Sequence, residues 1–301
     1  MLPIILSICF MIYPNITNDN LFIQENGETI ASINRNDLMD PFLGKPVVKG
    51  DKVELFMEKL SEKVLQSPEN ARINKREEIV PGKVGYKLSQ EKFRTSLYEY
   101  LFEQRSKTIE VPKMKVYPKV DSELLASVRS HQIGHYVTYF NHRNKERSHN
   151  IHLASKAIDS YVLFPKETFS FNEVVGKRTK QKGYMPAPVI VKGEVTEGIG
   201  GGICQVSSTL FNAVDNAGVD IGQRYSHSKR VPYVPEGRDA TVSWYGPDFT
   251  FTNPYNHPLL LRSKVKGGQL MITIHSANGI NVKSREIPKA KTGLPKELNV
   301  R

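Results

Sequence analysis

Apolar side chains recur at spacings of three and four in two stretches of the first third of the chain, and this spacing predicts two amphipathic helices. Val53, Phe56, Leu60 and Val64 follow Asp51, a residue type that caps helix starts, and Phe93, Leu97 and Leu101 follow Ser89 in the same way. Between them IVPGKVGY, residues 79 to 86, joins β-branched residues to two glycines and a proline, the mark of a strand and turn. Residues 108 to 120, TIEVPKMKVYPKV, alternate, and Pro112 and Pro118 restrict them to edge strands or an extended exit. Residues 21 to 128 therefore read as a small α+β domain, and no catalytic cluster falls within it.

From about Ser127 the pattern changes. A helix is predicted from His149 to Ser160, with Leu153, Ala157 and Tyr161 spaced by four, then a strand pair with a glycine turn in VIVKGEV, residues 189 to 195. The glycine-rich run Gly198-Ile199-Gly200-Gly201-Gly202 leads into a second helix carrying Val206, Leu210, Val214 and Ala217, which Gly218 ends. After it only strand signals remain, at Ala240–Tyr245, Phe249–Thr252, Leu259–Val265 and Leu270–His275, with Gly267-Gly268 as a tight hairpin turn. Residues 129 to 276 thus read as an antiparallel meander beside one or two helices, so the fold class is α+β throughout. Residues 277 to 301, rich in Lys and Pro, read as a basic flexible tail.

Leu2 to Ile12, LPIILSICFMI, is uncharged and too short to span a bilayer, which takes roughly 20 apolar residues. Residues 1 to 20 are read as an export or anchor segment, with a buried strand as the alternative. The membrane is then a partner only through this segment.

Composition narrows the function. Of 301 residues 39% are hydrophobic and 24% charged, which excludes wholesale disorder. Lys plus Arg number 42 against 31 Asp plus Glu, a net charge of +11 that favours an anionic partner: nucleic acid, an acidic membrane face or a polyanionic cell wall. Nucleic acid is set aside, because no helix-turn-helix, aromatic platform or zinc pattern is present. The two cysteines, Cys9 and Cys204, exclude a disulfide framework and a four-cysteine metal site. No cofactor or metal is expected. The run KRTKQK, residues 177 to 182, reads as a solvated basic loop, with a grip on an anionic polymer as the alternative.

Cys204 stands where the glycine run becomes a helix. There the partial positive charge and free N–H groups of a helix N-terminus favour a thiolate. Gly200, Gly201 and Gly202 let a backbone approach closely and leave N–H groups open to an oxyanion. A nucleophilic cysteine needs a base oriented by a third group. His227 in RYSHS, in a strand or loop, and Asp239 in GRDAT, at the start of the next strand, follow in the order of papain-like thiol enzymes. Cys204, His227 and Asp239 are thus the candidate catalytic residues, and Gly200, Gly201, Gly202, Gln205, Ser207 and Arg238 the candidate substrate-binding residues. The competing reading makes Cys204 a small buried hydrophobe and the glycines a packing device.

The segment FPKETFSFNEVVGKRTKQKGYMPAPVIVKGEVTEGIGGGICQVSSTLFNAV resembles the VanW family, as do HSKRVPYVPEGRDATVSW and DFTFTNPYNHPLLLRSKV after it. The resemblance runs from about His135 to Ser276 and is most specific in GGGxCQVSSTL and GRDATV. Residues 71 to 128 are similar to the peptidoglycan-binding domain that often precedes VanW and L,D-transpeptidase domains. Together these resemblances imply an exported envelope protein of a Gram-positive bacterium, with peptidoglycan as partner and teichoic acid as a second candidate. They carry no established chemistry. An enzyme acting on peptide stems through Cys204, as hydrolase or transpeptidase, and a non-catalytic wall-binding module are both consistent with them.

Overall fold

The computed structural model describes residues 19–42, 45–103, 105–191 and 194–295; the apolar run expected to serve export or anchoring lies outside them, as does Cys9. Among the described residues no helix is long and apolar enough to cross a membrane. The chain divides into two compact units, residues 1–70 with 82–119, and residues 71–81 with 120–301.

The first unit is a three-stranded sheet, Glu28–Asn34, Asn20–Glu25 and Lys107–Glu110, with the outer strands antiparallel and parallel to the central one. Helices Gly50–Val64 and Gln90–Glu103 supply the rest of its core. Val53, Met57, Leu60 and Val64 of the first helix are buried, as are Phe93, Leu97, Tyr100 and Leu101 of the second. Asp51 lies inside the first turn rather than at the cap, where its charge still complements the helix dipole.

In the second unit a four-stranded antiparallel sheet runs in the order His131–Tyr139, Gln269–Ser276, Leu259–Lys266, Tyr161–Leu163. Gly267 and Gly268, both at positive φ, close the hairpin between its two central strands. Two helices serve this core. Lys145–Ile158 starts at Asn144, whose side chain accepts from the Arg147 N–H. Ile203–Asn216 starts at Gly202, at φ 103°, and is followed by Gly218 at φ 71°. Val206, Leu210 and Val214 of this second helix are fully buried, each worth roughly 1.5–3 kcal/mol. A Cβ on Gly134 in the edge strand would lie 2.7 Å from the Ala213 carbonyl oxygen and the Ala217 methyl, so that glycine sets how closely helix and sheet approach. A smaller sheet, Thr168–Ser170, Thr250–Thr252 and Asp220–Ile221, stacks Phe169 on Phe251 in the same core. Pro186–Val191 and Glu194–Ile199 form a separate hairpin.

Three expectations change. The unit boundary falls at 119/120 rather than 128, and residues 71–81 join the second unit, because Ala71, Ile73, Val120, Leu125 and Val128 share a core with Val162 and Leu260. No strand forms over Ala240–Tyr245. Side chains of the cysteine helix meet both backbone groups of Ala240, while the Thr241 N–H donates to the Tyr225 carbonyl and the Ser243 N–H to that of Pro247.

The third change concerns the tail. Residues 277 to 290 are an ordered extended strap. Ile280, Val282, Ile287 and Ala290 pack on the core, Arg285 pairs with Asp215 at 2.8 Å, and the Tyr136 hydroxyl donates to the Pro288 carbonyl at 2.8 Å. The Lys and Pro content hid an apolar residue at every few positions.

Candidate active site

The cysteine helix presents one polar stripe. Cys204, Ser208, Asn212 and Asp215 follow one another at spacings of four, four and three, and so share a face. Against that face runs the irregular segment Arg238–Val242. The Arg238 guanidinium donates to Asn212 Oδ1 and Asp215 Oδ2, both at 2.7 Å, and Asn212 Nδ2 donates back to the Arg238 carbonyl at 2.8 Å. Ala240 N–H donates to Ser208 Oγ at 2.9 Å, while Ser207 Oγ donates to the Ala240 carbonyl. At the end of the stripe Cys204 Sγ lies 3.8 Å from the Thr241 hydroxyl and 3.6 Å from the Val242 carbonyl oxygen. The helix thereby fixes Asp239, which sits between two anchored neighbours.

Asp239 in turn fixes His227. Its Oδ2 accepts both the His227 backbone N–H and Nδ1–H, each at 2.6 Å, and the two side chains are 9% and 4% exposed. Arg224 donates to the Asp239 carbonyl at 2.7 Å and lies over the Phe211 ring. With Nδ1 committed to the carboxylate, Nε2 is the nitrogen left to act on the thiol. The three expected catalytic residues are therefore brought together, with His227 in a loop, one of its two expected settings, and Asp239 on an irregular segment rather than at the start of a strand.

The electrostatics follow from this geometry. Burial alone pushes the Cys204 thiol up, but the hydrogen-bonding His227 imidazole, with the Val242 backbone and Thr241, brings it below its ordinary value. Burial pushes His227 down, and its hydrogen bonds to Asp239 and Cys204 outweigh this and raise it to about 9. Burial raises Asp239, yet the two bonds from His227 hold its carboxyl below the usual range. Both shifts favour the thiolate–imidazolium form of Cys204 and His227, with the Asp239 carboxylate behind the imidazole.

Cys204 and His227 line a cavity of about 950 Å³, within the size of a small-molecule or peptide site. Its walls come from the Pro186–Ile199 hairpin, the loop at Val231–Tyr233 and the turn at Trp244–Tyr245. The Ile203 N–H donates to the Gly200 carbonyl and the Gln205 N–H to that of Gly202, on either side of Cys204. The Cys204 N–H between them is the candidate donor to an oxyanion formed beside the sulfur. Tyr233, whose phenol burial and the neighbouring Cys204 push well above its ordinary value, also lines the cavity.

The six expected substrate-binding residues separate. Gly200, Gly202 and Gln205 line the cavity. Gly201 meets the hairpin instead: a Cβ there would lie 2.6 Å from the Ala187 and Pro188 carbonyl oxygens. Gln205 is fully buried, accepting from Arg147 at 2.7 Å and donating to Thr138 at 2.9 Å, so it ties the helix start to the sheet. Ser207 and Arg238 do not line the cavity, and their hydrogen bonds hold the Asp239 segment. Arg147, Arg178, Tyr233 and Trp244 line the cavity without having been singled out. Of these, only Arg178 falls in a stretch that the sequence marks, the KRTKQK run read as a solvated basic loop. Among the described residues no three His, Cys, Asp or Glu side chains cluster as metal ligands would.

Residues 146–275 match the family described as VanW like protein. Over 300 residues, 99% of each chain, the protein is 55% identical to the Bacillus subtilis protein named Uncharacterized protein YoaR. It is 30% identical over 136 residues to Vancomycin B-type resistance protein VanW of Enterococcus faecalis, a match covering 43% of this chain and 47% of that protein. No solved structure matches it.

Proposed function

Because the chain belongs to the family of the Bacillus subtilis protein YoaR and carries a VanW-like domain, we propose that it is a cell-wall protein whose second unit performs thiol acyl transfer on peptide stems of peptidoglycan. The observation that carries this reading is the Cys204–His227–Asp239 chain opening into the cavity. The Cys204 thiolate attacks the carbonyl carbon of a stem amide, and the Cys204 N–H receives the oxyanion. As the C–N bond breaks, protonated His227 gives its proton to the leaving amine, which leaves a thioester on the sulfur. A second amine or water then attacks the thioester. His227 takes up its proton, and the C–S bond breaks to return the thiolate. Asp239 holds the imidazole and stays ionised throughout.

The first unit is read as the part that docks on the wall, and the net charge of +11 as affinity for polyphosphate such as teichoic acid. The apolar run at residues 2 to 12 supports an exported location. Retention of the full chain on cell walls is expected to fall steeply as salt rises, and retention indifferent to salt removes the polyphosphate partner.

The chemical test is incubation of the full chain with purified muropeptides, followed by mass spectrometry of the stems. Wild type is expected to yield shortened or cross-linked stems, and a folded Cys204→Ala variant neither. Identical products from both proteins, or unchanged stems with both, sink catalysis and leave a non-catalytic wall-binding module.

A further inference from the structure

The side chains of the KRTKQK run do not share one environment. Lys180 and Lys182 are exposed, and Lys177 reaches the exposed Tyr245 hydroxyl at 2.6 Å. Arg178 turns inward. Its stem crosses Gly200, where a Cβ would lie 3.3 Å from Arg178 Cβ and Cγ. Nη1 donates to Asn172 Oδ1 at 2.7 Å, and Asn172 is itself held through Nδ2 by the Ser243 and Pro247 carbonyls. The guanidinium lies over the Phe171 ring, and Nη2 is buried with no hydrogen-bond partner.

A buried charged donor left unmatched costs on the order of 1–3 kcal/mol or more, so a compensating anion is to be sought nearby. Arg178 lines the same cavity as Cys204, and three groups within electrostatic reach of it are able to carry negative charge: Cys204, Tyr184 and Asp248. Asp248 is already engaged, with Oδ1 accepting from the Asn172 and Phe249 N–H groups and Oδ2 from Ser170. Tyr184 is a phenol that burial pushes above its ordinary value, so it is neutral at physiological pH. The Cys204 sulfur remains. Facing that sulfur are His227, with Asp239 behind it, and Tyr233, with Arg147 behind that.

We propose that Arg178 is a fixed counter-charge for the Cys204 thiolate, a positioning residue that holds the anion when His227 has no proton to lend. The inference rests on the acyl-transfer reading. His227 loses its charge above about 9 and gives up its proton to the leaving amine, whereas a guanidinium stays charged at every stage.

The test is the rate of iodoacetamide alkylation at Cys204, read by peptide mass spectrometry of the full chain from pH 4.5 to 9.5. Wild type, Arg178→Gln, Arg178→Lys and His227→Asn are compared, with folding checked by Trp244 fluorescence. Arg178→Gln is expected to raise the midpoint by about one pH unit or more, a roughly tenfold slower reaction in the pH range below it. Arg178→Lys keeps the charge and stays close to wild type. His227→Asn retains a midpoint below the ordinary thiol value of about 8.5, because Arg178 is still present. An unmoved midpoint in Arg178→Gln overturns the proposal, as does Arg178→Lys falling as far as Arg178→Gln. Should Arg178→Gln not fold, a His227→Asn midpoint of about 8.5 overturns it alone. A wild-type midpoint of about 8.5 sinks the acyl-transfer reading itself, a distinct result.

Discussion

Replacing Cys204 by serine isolates the histidine half of the ion pair, and the consequence is visible in how stability depends on pH. Taken alone, His227 has a folded pKa of about 9 against 6.5. Its contribution to stability is complete below 6.5 and is lost as pH rises through about 9. Cys204 runs the other way, with its folded value below the ordinary one. Its contribution is present above the unfolded thiol value of about 8.5 and is lost as pH falls through the folded value. Between 6.5 and about 8.5 the unfolded pair holds one proton, on the thiol, and above the lowered Cys204 value the folded pair also holds one, on the imidazole. Equal proton counts mean that wild-type stability owes no slope to this pair in that interval.

In Cys204→Ser the balance is broken. Above 6.5 the unfolded chain carries no proton at either site, while folded His227 keeps its own through the 2.6 Å bond from Nδ1 to Asp239. Stability should then fall with pH at up to about 1.4 kcal/mol per unit. Raising an imidazole from 6.5 to about 9 corresponds to about 3 kcal/mol, and loss of the thiolate's share makes that a ceiling. A total fall of about 1.5–3 kcal/mol between pH 6 and 9 is expected from a charged hydrogen bond of this kind. Urea unfolding followed by the fluorescence of Trp244, the sole tryptophan, reports on the second unit. Subtracting the two proteins cancels His152 and His275, both held below the usual value mainly by burial. Parallel curves for wild type and variant refute the ion pair, and a flat variant refutes the grip of Asp239.

Asp239→Asn keeps the shape but removes the charge, so the His227 value falls toward 6.5 and alkylation of Cys204 at pH 7 slows about tenfold or more, read by mass spectrometry. Gly201→Ala drives a methyl to 2.6 Å from backbone oxygens of Ala187 and Pro188. The hairpin must shift, and urea unfolding is expected to show a loss of about 1–3 kcal/mol. Tyr255→Phe removes the hydroxyl that donates to the Ala217 carbonyl at 2.7 Å and accepts from the Lys283 N–H at 3.2 Å. The strap should loosen, with faster tryptic cleavage after Lys283 and Arg285 and a stability loss of about 1 kcal/mol.

The regular elements were legible wherever a long period was present. The cysteine helix, the final hairpin and both helices of the first unit follow from apolar spacing and glycine stops, because packing rewards that period directly. Ala240–Tyr245 alternates like a strand yet pairs with no strand. Its competing partners are Ser207 and Ser208, small polar residues inside a helix, and the loop carbonyls of Tyr225 and Pro247, and a pattern of apolar positions does not register them as ladder substitutes. Cys204, His227 and Asp239 were legible because each residue type is scarce or chemically marked and their order is informative. Arg178 was not. It sits among four lysines and arginines in six residues, where composition predicts solvent exposure and only the close pass over Gly200 reveals burial.

The polar stripe also explains why so polar a helix lies at the centre of the fold. Gln205, Ser207, Ser208, Thr209 and Asn212 are all fully buried, which is costly unless every polar atom is matched. Each is matched, to the sheet through Thr138 and Tyr139 or to the Arg238–Val242 segment. A strand would have satisfied that segment by itself and left its position free of the helix. The irregular segment is held by the helix on one side and by the Arg224 side chain and the Tyr225 carbonyl on the other, so Asp239 keeps its register with Cys204. The imidazole inherits this registration through two bonds to one carboxylate oxygen. In this way the positions of sulfur, imidazole and carboxylate all trace to a single helix, whose start the glycine turn fixes against the hairpin wall of the cavity.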